Sequence, residues 1–378
     1  MEAGLARAIR SQPNGEESMK DLAQVFAPKL YCCAKSRDFP EPDRGEAKAP
    51  QSGTGEDSLG EIFYTALPPL LARLALCPDD FPFEKPEEPA VFPLLVPESF
   101  VARMTPGDPV DPLLRQVLPT ELERHSLPGY SPDPLREQAL IAQSPLIRKY
   151  EGRALLLTTP RCAIHCRFCF RRYRTFPEAL GNTAIEEEIL RTLQEDGTIR
   201  EVILSGGDPL VLADEVLDRF LKQLVKIPSV RRIRIHTRVP VAIPRRVSQQ
   251  LIQMLQSLDR PTVLVLHVNH PQELSPPAVE AISRLVDGGI LVLSQTVLLR
   301  SINDRAEVLM QLFEMLVDLR VLPYYLHQLD PVEGASHFEV PIEVGKEIVA
   351  ALRAKLPGYA VPRYVREVPG LPAKEVLA

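Results

Sequence analysis

From residue 153 onward the hydrophobic and polar positions alternate between two periods. Short apolar runs at Ala154–Thr158, Glu201–Leu204, Arg232–His236, Thr262–Val268, Ile290–Gln295 and Pro323–His327 have the length and aliphatic content of buried strands. Between and after them apolar residues recur every three or four positions. Leu217, Phe220, Leu221 and Leu224 form one such stripe, and Leu309, Leu312, Phe313 and Leu316 another, each the buried face of a helix. Six successive strand–helix units predict a parallel sheet with right-handed crossovers. The expected fold class is therefore α/β, a partial (βα)6 TIM-like barrel, left open because closure would need two more strands. Functional groups should gather where the strands end.

The pattern differs on either side of this core, which is expected over 153–357. Within 59–152, Leu67, Leu70, Leu71 and Leu74 have helical spacing that Pro78 terminates, and Phe100, Val101 and Met104 suggest a second short helix. Prolines punctuate the rest, as in Thr105-Pro106-Gly107-Asp108-Pro109. This reads as a helical, proline-rich wrapping segment that packs on the barrel. Residues 1–58 mix proline, glycine and charge without a period and predict a disordered or weakly ordered extension, with a short helix around Leu22 to Leu30. Residues 358–378 form a C-terminal segment.

Composition narrows the function classes. A net charge of -6 gives no basic excess for a nucleic-acid scaffold. No apolar run reaches the ~18–20 residues of a membrane span, and the N-terminus lacks the basic-then-apolar order of a signal peptide. Of six cysteines, three fall within eight residues, a ligand cluster rather than a disulfide framework, so a reducing cytoplasmic setting is expected. The adjacent Cys32 and Cys33 are poorly placed to ligate one metal.

Cys162, Cys166 and Cys169 follow the run Ala154-Leu155-Leu156-Leu157 in a C-x3-C-x2-C pattern. Three thiolates can hold three irons of a [4Fe–4S] cubane and leave the fourth iron open to an outside ligand. A zinc knuckle and inert thiols are the alternatives. Zinc usually takes four ligands at paired spacings, no second cysteine pair follows, and His165 would have to fold back sharply to serve as the fourth. At the end of the second strand, Ser205-Gly206-Gly207-Asp208-Pro209 supplies two glycines that let backbone approach a ligand and an acid able to accept from an ammonium. An ordinary strand-to-helix turn is the blander account.

The cysteine loop and the glycine-rich strand end resemble the radical S-adenosylmethionine enzymes. Over roughly residues 65–378 the chain is similar to one of their families, the lysine 2,3-aminomutases. The matching stretches include Lys149-Tyr150-Glu151-Gly152-Arg153, Cys169-Phe170-Arg171-Arg172, Arg234-Ile235-His236-Thr237-Arg238, His267-Val268-Asn269-His270-Pro271 and Pro323-Tyr324-Tyr325-Leu326-His327-Gln328-Leu329-Asp330. The resemblance implies an isomerase that converts L-α-lysine to β-lysine through a 5′-deoxyadenosyl radical. Its cofactors would be a [4Fe–4S] cluster, S-adenosylmethionine and pyridoxal 5′-phosphate.

Residue by residue, the resemblance implies cluster ligation by Cys162, Cys166 and Cys169, and pyridoxal attachment at Lys374. It places Gly206, Gly207, Asp208, His267, Gln295, Arg153 and Tyr150 among the cofactor-binding groups. Arg171 would receive the substrate carboxylate, and Asp330 with Glu367 the distal ammonium. Glu367 stands where the longer members have aspartate. Those members continue beyond the lysine into a cysteine-bearing tail that binds zinc. The compact form implies no zinc and a role in making β-lysine for a ligase that attaches it to elongation factor P. An electron-donor protein would be a further partner. A relative acting on glutamate, or a non-catalytic iron–sulfur or zinc module, remains the alternative.

Overall fold

The computed structural model describes residues 54–56, 60–125 and 127–378. The expected helix around Leu22 to Leu30, the rest of the N-terminal extension up to residue 53, and Cys32 and Cys33 lie outside the described residues. The described residues all belong to one compact unit. Three short antiparallel strands, β1 (Thr54–Glu56), β2 (Ile62–Tyr64) and β3 (Val96–Pro97), make a small sheet. A nine-stranded sheet carries the rest: β4 (Leu146–Tyr150), β5 (Arg153–Thr159), β6 (Glu201–Gly206), β7 (Arg232–Thr237), β8 (Thr262–His267), β9 (Leu291–Val297), β10 (Leu322–His327), β11 (Arg363–Arg366) and β12 (Glu375–Val376). They lie side by side in sequence order.

The six predicted strands are β5 to β10, all parallel, each within two residues of its expected bounds. Their near-continuous aliphatic runs suit strands covered on both faces, and Val202, Leu204, Ile233, Ile235, Leu264 and Leu266 are fully buried. The sheet continues past the expected core on both sides. Strand β11 adds a seventh parallel strand, with Leu326 opposite Tyr364, while β4 and β12 run antiparallel at the edges. Its Arg-Tyr-Val-Arg sequence has no apolar run to announce it, yet Tyr364 and Val365 are buried.

The crossover helices bury the stripes expected of them: Leu217, Phe220, Leu221 and Leu224 in Asp214–Leu224, and Leu309, Leu312, Phe313 and Leu316 in Ala306–Asp318. Ser248 caps the helix Gln249–Gln256 by accepting from the Leu251 amide at 3.1 Å, which fixes where that helix starts. Upstream, the helices Leu67–Arg73 and Glu98–Val101 occupy the positions predicted from spacing. Leu70, Phe100, Leu113 and Leu114 share one apolar core with the barrel helices. Arg103 stitches the two together by donating to the carbonyl of Glu273 at 2.6 Å and to that of Val241. Among the described residues no helix is long and apolar enough to cross a membrane.

Candidate active site

The C-terminal ends of the parallel strands surround a cavity of about 460 Å³. Every site residue anticipated from the sequence borders it: Cys162, Cys166, Cys169 and Arg171 from the loop after β5, and Gly206, Gly207 and Asp208 from the end of β6. The remaining anticipated residues, His267, Gln295, Asp330, Tyr150, Arg153, Glu367 and Lys374, come from β8, β9, the end of β10, β4, β5 and the C-terminal segment. Phe92, Leu135 and Glu137 of the wrapping segment complete the wall.

The cysteine loop has almost no secondary structure of its own and is held by buried arginines. Arg167 is fully buried and grips Glu123 bidentately at 2.6 and 2.5 Å while donating to the Phe92 carbonyl at 2.8 Å. Arg172 reaches the same Glu123 and donates to the carbonyls of Arg167 and Gly334 at 2.8 and 3.1 Å. Charged groups this deep persist only when paired, so each arginine is a fastening. His165 stacks on Phe92 with ring centroids 4.5 Å apart, and its Nδ1 lies 2.8 Å from the Pro93 carbonyl. It is not among the residues that border the cavity lined by the three cysteines.

Gly206 and Gly207 explain how this loop meets the sheet. Gly206 has φ +125, and a Cβ there would lie 2.7 Å from the Thr159 carbonyl oxygen; a Cβ on Gly207 would lie 2.0 Å from that of Arg161. Through the space thus left, the Gly207 amide donates to Thr159 at 2.7 Å and the Asp208 amide to Arg161 at 2.8 Å. The glycines thus serve first to dock the cysteine loop against β6. The Asp208 carboxylate is likewise engaged within the chain. It accepts from the Thr237 hydroxyl at 2.7 Å and the amides of Arg238 and Leu210 at 2.7 and 3.0 Å. Burial still pushes its carboxyl up to about 6.

A chain of alternating charges crosses the cavity. The Arg171 guanidinium, 4.5 Å from the Phe170 ring centroid, donates to the buried Glu137 carboxylate at 3.4 Å. Glu137 also holds Arg174 and, at 3.0 Å, Lys149. Lys149 then reaches Glu367 at 2.7 Å, and Glu367 pairs with Lys374 and accepts from the Tyr150 hydroxyl. The Arg153 guanidinium stacks 4.9 Å above the Tyr150 ring. Burial alone would raise both acids. At Glu137 the charges of Arg171 and Lys149 outweigh it, at Glu367 those of Lys374 and Lys149, and each carboxyl is held at about 2.

Asp330 behaves oppositely. Its carboxylate has no hydrogen bond or ion pair among the described residues, and burial pushes it up to about 7 although Lys374 pulls it down. Three histidines face the same space. Burial drives His236 and His327 well below the ordinary imidazole value and His267 to about 3, so all three rings are neutral acceptors or single donors.

Sequence reasoning assigned no role to Glu137, Lys149, His236, Arg238 or His327. Four of these lay inside quoted motif stretches at or beside strand ends. Glu137 sits in the proline-rich segment, where the only signal was the need of Arg171 and Arg174 for counter-charges.

The donor chemistry fits an iron–sulfur cluster, a nucleoside and a pyridoxal group. Among the described residues no three His, Cys, Asp or Glu side chains converge to hold a single metal ion. The three cysteines nevertheless all line one cavity, as a cubane binding each thiolate through a separate iron requires. His236 and His267 each leave Nε2 buried without a partner. Such orphans are costly unless a ligand meets them. Lys374 borders the same cavity with a primary amine, the kind of group to which a pyridoxal aldehyde attaches.

Residues 156–313 match the model of the radical SAM superfamily. The chain is 42% identical over 287 residues to the L-lysine 2,3-aminomutase of Escherichia coli K12, covering 76% of this chain and 84% of that one. The L-lysine 2,3-aminomutase of Buchnera aphidicola is 39% identical over 321 residues, with 84% and 94% covered. That of Clostridium subterminale is 36% identical over 273 residues, with 72% and 65% covered.

Proposed function

The chain belongs to the lysine 2,3-aminomutase family of radical S-adenosylmethionine enzymes, an isomerase family, and on that premise we propose that it converts L-α-lysine to β-lysine in the cavity described above. The observation that supports this reading is that the three cysteines, Arg171, Asp330, Glu367 and Lys374 all line one cavity.

The family implies a [4Fe–4S] cluster, S-adenosylmethionine and pyridoxal phosphate. When bound, these supply a hydrogen-abstracting radical and a carrier for the migrating amino group. Cys162, Cys166 and Cys169 would hold the irons and leave one open position. Lys374 would carry the pyridoxal group, with Arg153 and Tyr150 beside it and the unpartnered Nε2 of His267 directed to a cofactor. Gln295 borders the same space from β9. Arg171 offers its planar guanidinium to the substrate carboxylate, already oriented by Phe170 and Glu137. Asp330 and Glu367 receive the distal ammonium.

That pair of acids favours lysine over glutamate, whose side-chain carboxylate would need neutral or basic groups in their place. The wrapping segment contributes Phe92 and Leu135 to the wall, apolar surface that would help keep water from a reactive carbon centre. The proposed setting is cytoplasmic, with an electron-donor protein as partner and the product passed to a ligase that modifies elongation factor P.

Anaerobic reconstitution tests the reading. About four irons per chain, pyridoxal absorbance and turnover of lysine but not glutamate support it. Turnover of glutamate alone, or zinc without iron, sinks it.

A further inference from the structure

Among the described residues, only one of the three cysteines receives a charged hydrogen-bond donor. Arg238, at the turn after β7, donates from one guanidinium nitrogen to Cys166 Sγ. The other terminal nitrogen donates to Gln116 Oε1 at 2.6 Å and Glu273 Oε2 at 3.0 Å, while Nε is buried with no hydrogen-bond partner among the described residues. Arg238 is 4% exposed, and Gln116 and Glu273 are fully buried. Two aromatic rings lie near the guanidinium, with centroids of Phe100 and Phe168 at 5.3 and 5.9 Å. Its backbone is pinned as well, because the Arg238 amide donates to the Asp208 carboxylate at 2.7 Å. Glu273 is held in turn by the amides of Asn269 and His270 at 2.9 and 3.1 Å and by the Gln116 amide group at 3.2 Å.

A cation so completely fixed costs desolvation, and Glu273 alone would neutralise it without any contact to sulfur. We propose that Arg238 sets the reduction potential of the iron–sulfur cluster by placing a buried positive charge against the sulfur of Cys166, with Glu273 as the counter-charge that limits its effect. This rests on the assignment of Cys166 as a cluster ligand. The reasoning is electrostatic. Reduction adds one negative charge to the cluster, and a nearby guanidinium in a low-dielectric interior stabilises the reduced form more than the oxidised one. Arg238 is therefore a positioning residue that acts through the cysteine. It also links the β6 end to the cluster, since Asp208 holds the backbone from which the guanidinium reaches Cys166.

The test is an anaerobic redox titration of the reconstituted protein without S-adenosylmethionine. One electron passes from dithionite to each cluster, and the reduced form is read by electron paramagnetic resonance. Arg238→Gln is expected to shift the potential negatively by at least tenfold in the reduction equilibrium constant, about 59 mV for a one-electron couple. Arg238→Lys keeps the charge without the planar fork and should fall between that variant and the wild type. Glu273→Gln should move the potential the other way. Should Arg238→Gln fail to fold, the remaining two variants carry the test. Wild-type potentials, or shifts of opposite sign, in the variants that assemble a cluster overturn the inference. A wild-type protein that assembles no cubane overturns the cysteine assignment instead.

Discussion

The Lys374 ammonium is ion-paired to one oxygen of the Glu367 carboxylate, while Lys149 holds the other oxygen at 2.7 Å. Two residues expected to serve different ligands, a pyridoxal group and a substrate ammonium, thus satisfy each other before either ligand arrives. The pair compensates a half-buried lysine and an acid whose side chain is 5% exposed, whereas the Asp330 carboxylate has no ion pair among the described residues.

Lys374→Ala is expected to assemble the cluster normally and to lose the pyridoxal absorbance of a lysine-linked cofactor, with turnover abolished. Iron content and visible spectra of the two proteins check this. Retained lysine-linked absorbance would place the attachment at another amine.

Asp330 yields a pH signature. Its carboxyl is raised to about 7, chiefly by burial, so near neutrality a substantial fraction is protonated and cannot attract an ammonium. Lysine affinity should rise as pH increases through about 7. Asp330→Asn should bind more weakly by about 3 kcal/mol, the low end of breaking a buried charge pair, and its affinity should lose this pH dependence. Isothermal titration across pH 6 to 8 decides it. A wild-type profile flat over that range would move the ammonium site elsewhere.

Glu137 has the opposite sign. Held at about 2 against an ordinary 4.5, it contributes stability that is present above the unfolded-state value and is lost as pH falls toward 2. Glu137→Gln leaves Arg171, Arg174 and Lys149 without their shared anion and should cost about 3 kcal/mol at pH 7. Denaturant melts at pH 7 and pH 3 should show the difference from wild type shrinking in acid.

The parallel core was legible because its strands are aliphatic runs separated by amphipathic helices, and each run announces itself locally. Strand β11 was not, since Arg363 and Arg366 flank only Tyr364 and Val365, and its place is set by pairing with β10. Spacing and motif stretches picked out candidate residues, all of which border one cavity. What they could not convey is how polar groups are spent. Arg167 and Arg172 stand beside the cysteines with no counter-charge among their immediate neighbours in sequence, and both are buried against Glu123, a partner more than forty residues away. Asp208 reads as a ligand for an ammonium, and the structure commits its oxygens to Thr237, Arg238 and Leu210. Such allocations depend on three-dimensional proximity that no local pattern encodes.

The docking of the cysteine loop supplies the last prediction. A methyl group on Gly207 would stand 2.0 Å from the Arg161 carbonyl oxygen, a backbone atom that cannot rotate away as a side chain would. Gly207→Ala must therefore push the loop off β6 and break the Gly207 and Asp208 amide bonds to Thr159 and Arg161. The Lys374 side of the cavity lies on β11, β12 and the segment between them, remote in the sheet from this junction. Gly207→Ala should consequently lose iron while keeping pyridoxal attachment, and its thermal stability should fall by the ~1–3 kcal/mol typical of overpacking. Iron analysis beside pyridoxal absorbance on the same sample separates the two halves. Full iron loading in this variant would show that the loop can shift without disturbing the three sulfurs, and that the close approach at Gly207 is not what positions them.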